Sequence, residues 1–237
     1  MATSVKPRAV TNMKNTETFL ASKKNAILLT AFGAVCTILV SLTYVLTNPV
    51  IQEQERLQTY NKVTQVLDNN RFDNNPLLDC IMLEDDSITG VNKATPVYRA
   101  RLNNEPYALV YQTQTKQGYN GLIKILVALD KTGEVQGVRT LTHTETPGLG
   151  DKIELSKSDW VLSFNEKSVN SEDDQHWFVK KDGGDFDQFT GATITPRAIV
   201  NQLRTSIYRI TGQFDQLFSQ PNACQSPQTT TEPNNDN

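Results

Sequence analysis

The sequence predicts an α+β protein in which a single N-terminal transmembrane helix leads into an extracytoplasmic domain of antiparallel sheet and flanking helices. Three observations carry that expectation. An uncharged run, AILLTAFGAVCTILVSLTYVL, fills residues 26–46. Four segments rich in β-branched and aromatic residues follow between turn signals. An amphipathic helical pattern then starts at Pro196.

The apolar run carries only hydroxyl groups for polarity and is long enough to cross roughly 30 Å of hydrocarbon as a helix. Lys6, Arg8, Lys14, Lys23 and Lys24 precede it against the single acid Glu17, whereas Asn48, Pro49, Gln52, Glu53 and Glu55 follow it. By the positive-inside rule the N-terminus is cytoplasmic and everything after Pro49 lies outside. A cleaved signal peptide fits less well, because the run exceeds the about 7–15 residues of a signal core and no small-x-small site follows. A buried core helix fits less well still, since the run is apolar on every side. Residues 1–25 read as a disordered cytoplasmic segment and 26–46 as the span.

Beyond Pro49, Ile51, Leu57, Tyr60, Val63 and Leu67 recur at helical spacing. They predict a helical connector over 49–75, stopped by the Asn69-Asn70 and Asp73-Asn74-Asn75-Pro76 breakers. The period then changes, opening a domain over 76–219. VYRARL, PYALVYQT, GLIKILVAL and EVQGVRTLT, separated by Asn103-Asn104, Gly118 to Asn120 and Lys131-Thr132-Gly133, predict an antiparallel meander of about four strands. GLIKILVAL is almost continuously apolar, as a central strand covered on both faces would be. From Pro196, the residues Ile199, Val200, Leu203, Ile207, Ile210 and Phe214 form one helix face and leave Arg197, Asn201, Arg204 and Arg209 for the other. This helix is expected to stop near Gly212 or a few residues later, with Thr195 as its N-cap and Pro196 first inside it. Residues 220–237 read as a disordered tail.

Composition removes several function classes. A net charge of -3 gives no basic footprint for nucleic acid. Cys36, Cys80 and Cys224 form no CxxC or CxxCH, which argues against a thiol redox pair, an iron-sulfur cluster, a zinc site or attached haem. Cys36 falls in the membrane; Cys80 and Cys224 share the outer side, where a disulfide and two free thiols fit equally. His143 and His176 lack partners at metal-ligand spacing, and the run from Asp182 to Asp187 lacks the EF-hand order, so no metal site is expected. His143, beside the Glu145 loop, reads as a surface or strand-end histidine, with an approach to a ligand bound at that loop as the alternative, and Glu172, Asp173 and Asp174 read as solvent-facing charge. No Ser-His-Asp or Cys-His grouping supports hydrolysis.

The stretch FTGATITPRAIV, Phe189 to Val200, carries the chemistry. Its plain reading is a turn at Gly191 followed by a capped helix. A helix N-terminus also attracts anions, so a hydroxyl there can carry a phosphate. Asp187 to Thr195, DQFTGATIT, resembles the Asp-x-x-[Ser/Thr]-Gly-Ala-Thr-x-[Ser/Thr] motif of the covalent FMN-binding domains in bacterial membrane electron-transport complexes. In that family a flavin transferase joins FMN through its phosphate to the last hydroxyl residue. The resemblance implies Thr195 as that residue, within a recognition sequence of Asp187, Thr190, Gly191, Ala192 and Thr193. Thr190 stands where many members have serine and keeps the hydroxyl.

A second segment, THTETPGLGDKI from Thr142 to Ile153, looks like a loop of the same family. It implies cofactor contacts from Glu145, Thr146, Gly148, Leu149 and Gly150, the glycines letting backbone approach a flat ligand. Gly118-Tyr119-Asn120-Gly121, entering the central strand, agrees and adds Tyr119. With GLGDKIELSKSDW and the single anchor, the chain is similar to G subunits of Rnf/Rsx ion-translocating electron transport complexes, over the anchor and the domain to about Gly212.

That resemblance implies a flavoprotein relay between a low-potential donor such as ferredoxin and NAD, in a complex that moves ions. The chain would be a redox carrier, without catalytic residues beyond its flavin. Its partners would be the other subunits and the flavin transferase, at a bacterial inner membrane with the main domain periplasmic. Two alternatives remain: the C subunit of a sodium-translocating NADH:quinone reductase, and a non-redox anchored scaffold in which Thr195 only caps a helix.

Overall fold

The computed structural model describes the backbone of residues 11–67 and 71–224. Side chains are described from residue 23 onward within those ranges, apart from Lys24, Pro49, Gln52, Glu53, Glu55 and Arg56. The first ten residues, the expected breaker at Asn69-Asn70 and the tail from Gln225 lie outside the described residues. Two compact units divide after Leu57.

One helix, α1 (Thr11–Val66), runs through the apolar stretch and onward past Pro49. Its start at Thr11 corrects the expectation of disorder over 11–25. No glycine or proline interrupts residues 11–25, and a helix already nucleated next door extends into them at little cost. Within the apolar stretch, Thr30, Thr37, Thr43 and Thr47 donate to the carbonyls of Ala26, Gly33, Leu39 and Thr43 at 2.8–2.9 Å. Each hydroxyl is satisfied inside its own helix, which is how such residues enter an apolar span without an orphaned polar group.

The second unit is a five-stranded antiparallel meander in sequential order. Its strands are β1 (Cys80–Leu83), β2 (Thr95–Leu102), β3 (Glu105–Gly118), β4 (Gly121–Asp130) and β5 (Val135–Thr142). The last four are those the alternation predicts; β1 is additional, pairing Cys80 with Tyr98 through to Leu83 with Thr95. Between β1 and β2 a single turn, α2 (Asp86–Thr89), begins where the Asp85 carboxylate accepts from the Ser87 N–H at 3.0 Å.

Alternation along β4 supplies two cores. Ile123, Ile125, Val127 and Leu129 pack on one face with Ile199, Leu203 and Ile207 of α3 (Ile194–Ser219). Leu126 and Ala128 face the other way, onto Val63, Val66 and Leu67 at the end of α1. The strand is therefore covered on both sides, as its unbroken apolar run requires. Gly137 on β5 makes room for α1: a Cβ there would lie 2.6 Å from the Val66 carbonyl oxygen. Helix α3 passes through Gly212 and ends at Ser219, because Phe214, Leu217 and Phe218 continue its buried stripe.

The end of the described chain folds back on the first strands. Cys224 is disulfide-bonded to Cys80. The Asn222 side-chain oxygen accepts from the Cys80 N–H at 3.0 Å. Arg99, only 3% exposed, donates to the carbonyls of Phe218 and Gln220 at 3.0 and 2.6 Å and pairs with Asp79. Residues 220–224 are thus held in place, which corrects the reading of a tail disordered from Gln220. Asp174, expected in solvent, is buried as well. Burial pushes its carboxyl up, but hydrogen bonds from the Asn170 and His176 N–H groups and the Asn170 side chain more than offset this and leave it below the usual range.

Replacing Cys224 with serine removes a cross-link that spans 144 residues. The expected loss is about 2–5 kcal/mol, seen as a lower thermal midpoint for the variant than for oxidised wild type in the same detergent.

Candidate functional site

Two tight turns and a hairpin tip build the site. In Thr146–Leu149 the Leu149 N–H donates to the Thr146 carbonyl at 3.1 Å, and Gly148 takes φ 78°. Proline second and a positive-φ glycine third are what a type II turn demands. In Phe189–Ala192 the Ala192 N–H donates to the Phe189 carbonyl at 3.1 Å, and Gly191 takes φ 82°. The turns meet, since a Cβ on Gly191 would lie 3.5 Å from Leu149 Cδ2. Trp160 fixes the second turn: its indole N–H donates to the Asp187 carbonyl at 2.8 Å and its ring meets Phe189 edge-on at 5.2 Å.

Glu145 sits at the centre, 4% exposed. Its Oε1 accepts from the Asn120 N–H at 3.0 Å, and its Oε2 accepts from the Thr195 hydroxyl. Thr195 is 0% exposed. Glycines allow this closeness. A Cβ at Gly150 would lie 2.8 Å from Glu145 Oε2 and 3.1 Å from Thr195 Oγ1, and one at Gly118 would lie 2.7 Å from Glu145 Oε1. The β3–β4 tip is pinned in addition by Asn120 Nδ2 donating to the Thr144 carbonyl and by the Thr144 hydroxyl donating to the Asn120 carbonyl.

The start of α3 corrects the expected cap. Thr193 occupies the N-cap position without a capping hydrogen bond from its side chain, and Thr195 is the second helical residue. Pro196 is then third, still among the N–H groups that lack an intrahelical partner. Thr195 does not cap because its hydroxyl is engaged by Glu145. Arg197 ties the first turn down through two bonds to Asp182 at 2.6 and 2.8 Å, and this bonding holds the Asp182 carboxyl below its usual range. The positive end of the helix faces the Glu145 carboxylate.

His143 supports the loop from behind. The Glu145 N–H donates to Nδ1 at 3.1 Å, so Nδ1 is the acceptor and Nε2 carries the hydrogen that faces Glu154 Oε1 at 2.7 Å. That bond is the main reason the Glu154 carboxyl lies below its ordinary value.

Of the residues expected in the site, Glu145, Gly150 and Thr195 converge directly, and Thr146, Gly148, Leu149 and Gly191 form the touching turns. Ala192 packs against the core and Thr193 is half-buried. Thr190 lies exposed on the second turn. Tyr119 is 68% exposed at the hairpin tip, and with Leu149 and Ile194, 42% and 45% exposed, it leaves an apolar rim beside the hydroxyl. The Asp187 carboxylate stands outside this centre, paired with Lys180 at 2.7 Å on the surface. Sequence reasoning missed the roles of Asn120, Trp160 and the His143–Glu154 pair, none of which has a spacing that marks it.

A family profile described as FMN-binding domain matches residues 118–207, which hold the hairpin tip and both turns. A second, described as RnfG N-terminal region, matches residues 13–66. The G subunit of the ion-translocating oxidoreductase complex of Shewanella loihica is 45% identical over 202 residues, 85% of this chain and 95% of that protein. The protein of the same description from Vibrio cholerae serotype O1 is 44% identical over 205 residues, 86% and 98%. This chain belongs to the G-subunit family of ion-translocating oxidoreductase complexes. Among solved structures, the C subunit of the Na(+)-translocating NADH-quinone reductase of Parabacteroides distasonis matches with TM-score 0.35 and 23% identity, over 54% of this chain and 65% of that one. With its FMN-binding domain, this family member is a flavoprotein and a redox component of an electron transport complex. The site fits FMN: the Cβ direction of Gly148 is open, Gly191 meets only the tip of Leu149, and the apolar rim lies beside an anion-favouring helix start.

Two outcomes follow from this geometry. Thr195→Val leaves Glu145 Oε2 without its donor and is expected to destabilise the flavin-free protein by about 1–3 kcal/mol, read as a lower thermal midpoint. In His143→Ala the Glu154 carboxyl should titrate higher than in wild type by carbon-13 NMR. Because the folded value is depressed, the pair stabilises above the ordinary glutamate value near ~4.3 and loses that contribution as pH falls through the folded value.

Proposed function

We propose that this G-subunit family member is the FMN-bearing electron relay of an Rnf/Rsx-type complex and that FMN is held as a phosphate ester on Thr195. The observation that carries the reading is the convergence of the two motifs, with the Thr195 hydroxyl meeting the Glu145 loop at the start of a helix. Bound FMN supplies the one-electron chemistry. The chain contributes position and electrostatics: the first N–H groups of α3 favour the phosphate charge, the two tight turns keep backbone low beside a planar ring, and Tyr119, Leu149 and Ile194 offer apolar contact.

In this reading the apolar stretch Asn25–Asn48 crosses the bacterial inner membrane once. The preceding lysines stay in the cytoplasm, and the sheet domain lies in the periplasm, where the Cys80–Cys224 disulfide persists. Covalent attachment suits a compartment in which a lost flavin is not readily replaced. Electrons pass between a ferredoxin-like donor and NAD through the assembled subunits, and ion movement belongs to the assembly. A flavin transferase installs the cofactor.

The test is co-expression with the transferase, denaturing electrophoresis under ultraviolet light, and intact mass. Wild type and Thr195→Ser should carry a fluorescent FMN adduct and Thr195→Ala none. An unlabelled wild type beside a labelled control protein would leave Thr195 as a structural hydroxyl.

A further inference from the structure

The hydroxyl that would accept the flavin phosphate is the least accessible group of its turn. Thr195 is 0% exposed while Thr190, Gly191 and Ile194 around it are exposed. Its covers are specific: Glu145 Oε2 takes the hydroxyl hydrogen, and the backbone at Gly150 is so near that a Cβ would stand 3.1 Å from Oγ1. A phosphorus atom bonded to Oγ1 in place of that hydrogen would press into Glu145 Oε2, with the Gly150 backbone close by on the same hydroxyl. It would also place a phosphodiester anion against a buried carboxylate, which low dielectric makes strongly unfavourable. The Glu145–Thr195 contact and an ester on Thr195 therefore exclude each other.

Resting on the attachment reading above, we infer that Glu145 is a positioning residue that latches the acceptor hydroxyl shut, so that flavin attachment proceeds only when the 145–150 turn swings away and the ester then keeps it open. Few contacts hold the segment closed. Glu145 ties it to Asn120 and Thr195 through its carboxylate and to His143 through its N–H, Gly148 sits at positive φ with no heavy atom within 4 Å of its Cβ direction, and the tip contact is Leu149 against Gly191. Opening exposes Oγ1 to the transferase and its donor, a flavin dinucleotide whose pyrophosphate supplies an activated phosphoryl group. The Oγ–P bond forms and the P–O bond to the departing nucleoside monophosphate breaks, its electron pair leaving with that oxygen. The hydroxyl proton passes to a base on the transferase, and nothing is oxidised or reduced.

The experiment uses full-length flavin-free protein in detergent, purified transferase and flavin adenine dinucleotide, following adduct fluorescence and mass with time. Glu145→Ala removes the latch and is expected to label about tenfold faster than wild type, the factor a charged hydrogen bond carries, with Glu145→Gln between the two. Equal or slower labelling of Glu145→Ala would overturn the inference, and slower labelling of both variants would assign Glu145 to removing the Thr195 proton instead. Hydrogen exchange on wild type alone guards against a misfolded variant. The amides of 145–150 should exchange faster in the flavinylated protein than in the flavin-free one, and unchanged protection would overturn the latch. Absence of label from wild type and both variants, with a control protein labelled, would overturn the attachment reading and this inference with it, whereas labelled wild type with an unaltered rate in Glu145→Ala would overturn the latch alone.

Discussion

A carboxylate removed from water must be given donors, and Glu145 finds its donors on elements far apart in the chain. One oxygen draws in the tip of the β3–β4 hairpin and the other draws in the first turn of α3, so satisfying one side chain fixes where three elements end. The same demand explains the small residues around it. Gly118 and Gly150 each stand where a methyl group would press on a carboxylate oxygen, and neither could be alanine without moving the charge. Behind the loop, His143 accepts the Glu145 N–H and passes the support on to Glu154, so the closed position of the turn is held from the backbone as well as from the carboxylate.

The frame that brings these elements together follows from ordinary packing. Strand β4 buries alternate residues in opposite directions, and each direction has its own helix: α3 for Ile123 through Leu129, the end of α1 for Leu126 and Ala128. Since α3 is held by its apolar stripe on one side and by Arg197 on Asp182 at its start, its first turn arrives at the loop after β5 with little latitude. Stacked aromatic rings at Phe164 and Phe186, with centroids 4.6 Å apart, and the Trp160 indole on Asp187 do the same for the segment leading into that turn.

Much of this frame was legible in the sequence, because period-2 and period-3.6 patterns are local. Four strands and the buried character of GLIKILVAL could be read directly, and Thr-Pro-Gly-Leu announced its turn through proline and glycine at the required places. The strand β1 escaped notice because four residues ending a breaker-rich stretch show no alternation, and it exists through its pairing with β2. The start of α3 was misplaced by two residues for a related reason: Thr195 before proline has the local signature of a cap, and a partner 50 positions away in sequence claims the hydroxyl. Asp174 and the 220–224 segment were misjudged alike, since polar residues look solvated until a distant set of donors or acceptors is known. Motif resemblance pointed to Thr195 and Glu145 separately; their contact belongs to three dimensions alone.

The closure of the chain's late residues onto its early strands has a consequence for synthesis. Arg99 waits 119 residues for the Phe218 carbonyl, and the first face of the sheet stays uncovered until α3 emerges. At about 5–20 residues per second, the nascent sheet stands open for roughly ten seconds, its Arg99 guanidinium paired with Asp79 but still lacking the Phe218 and Gln220 carbonyls. The core on that face of the sheet can therefore close only when the final helix is delivered, late in synthesis.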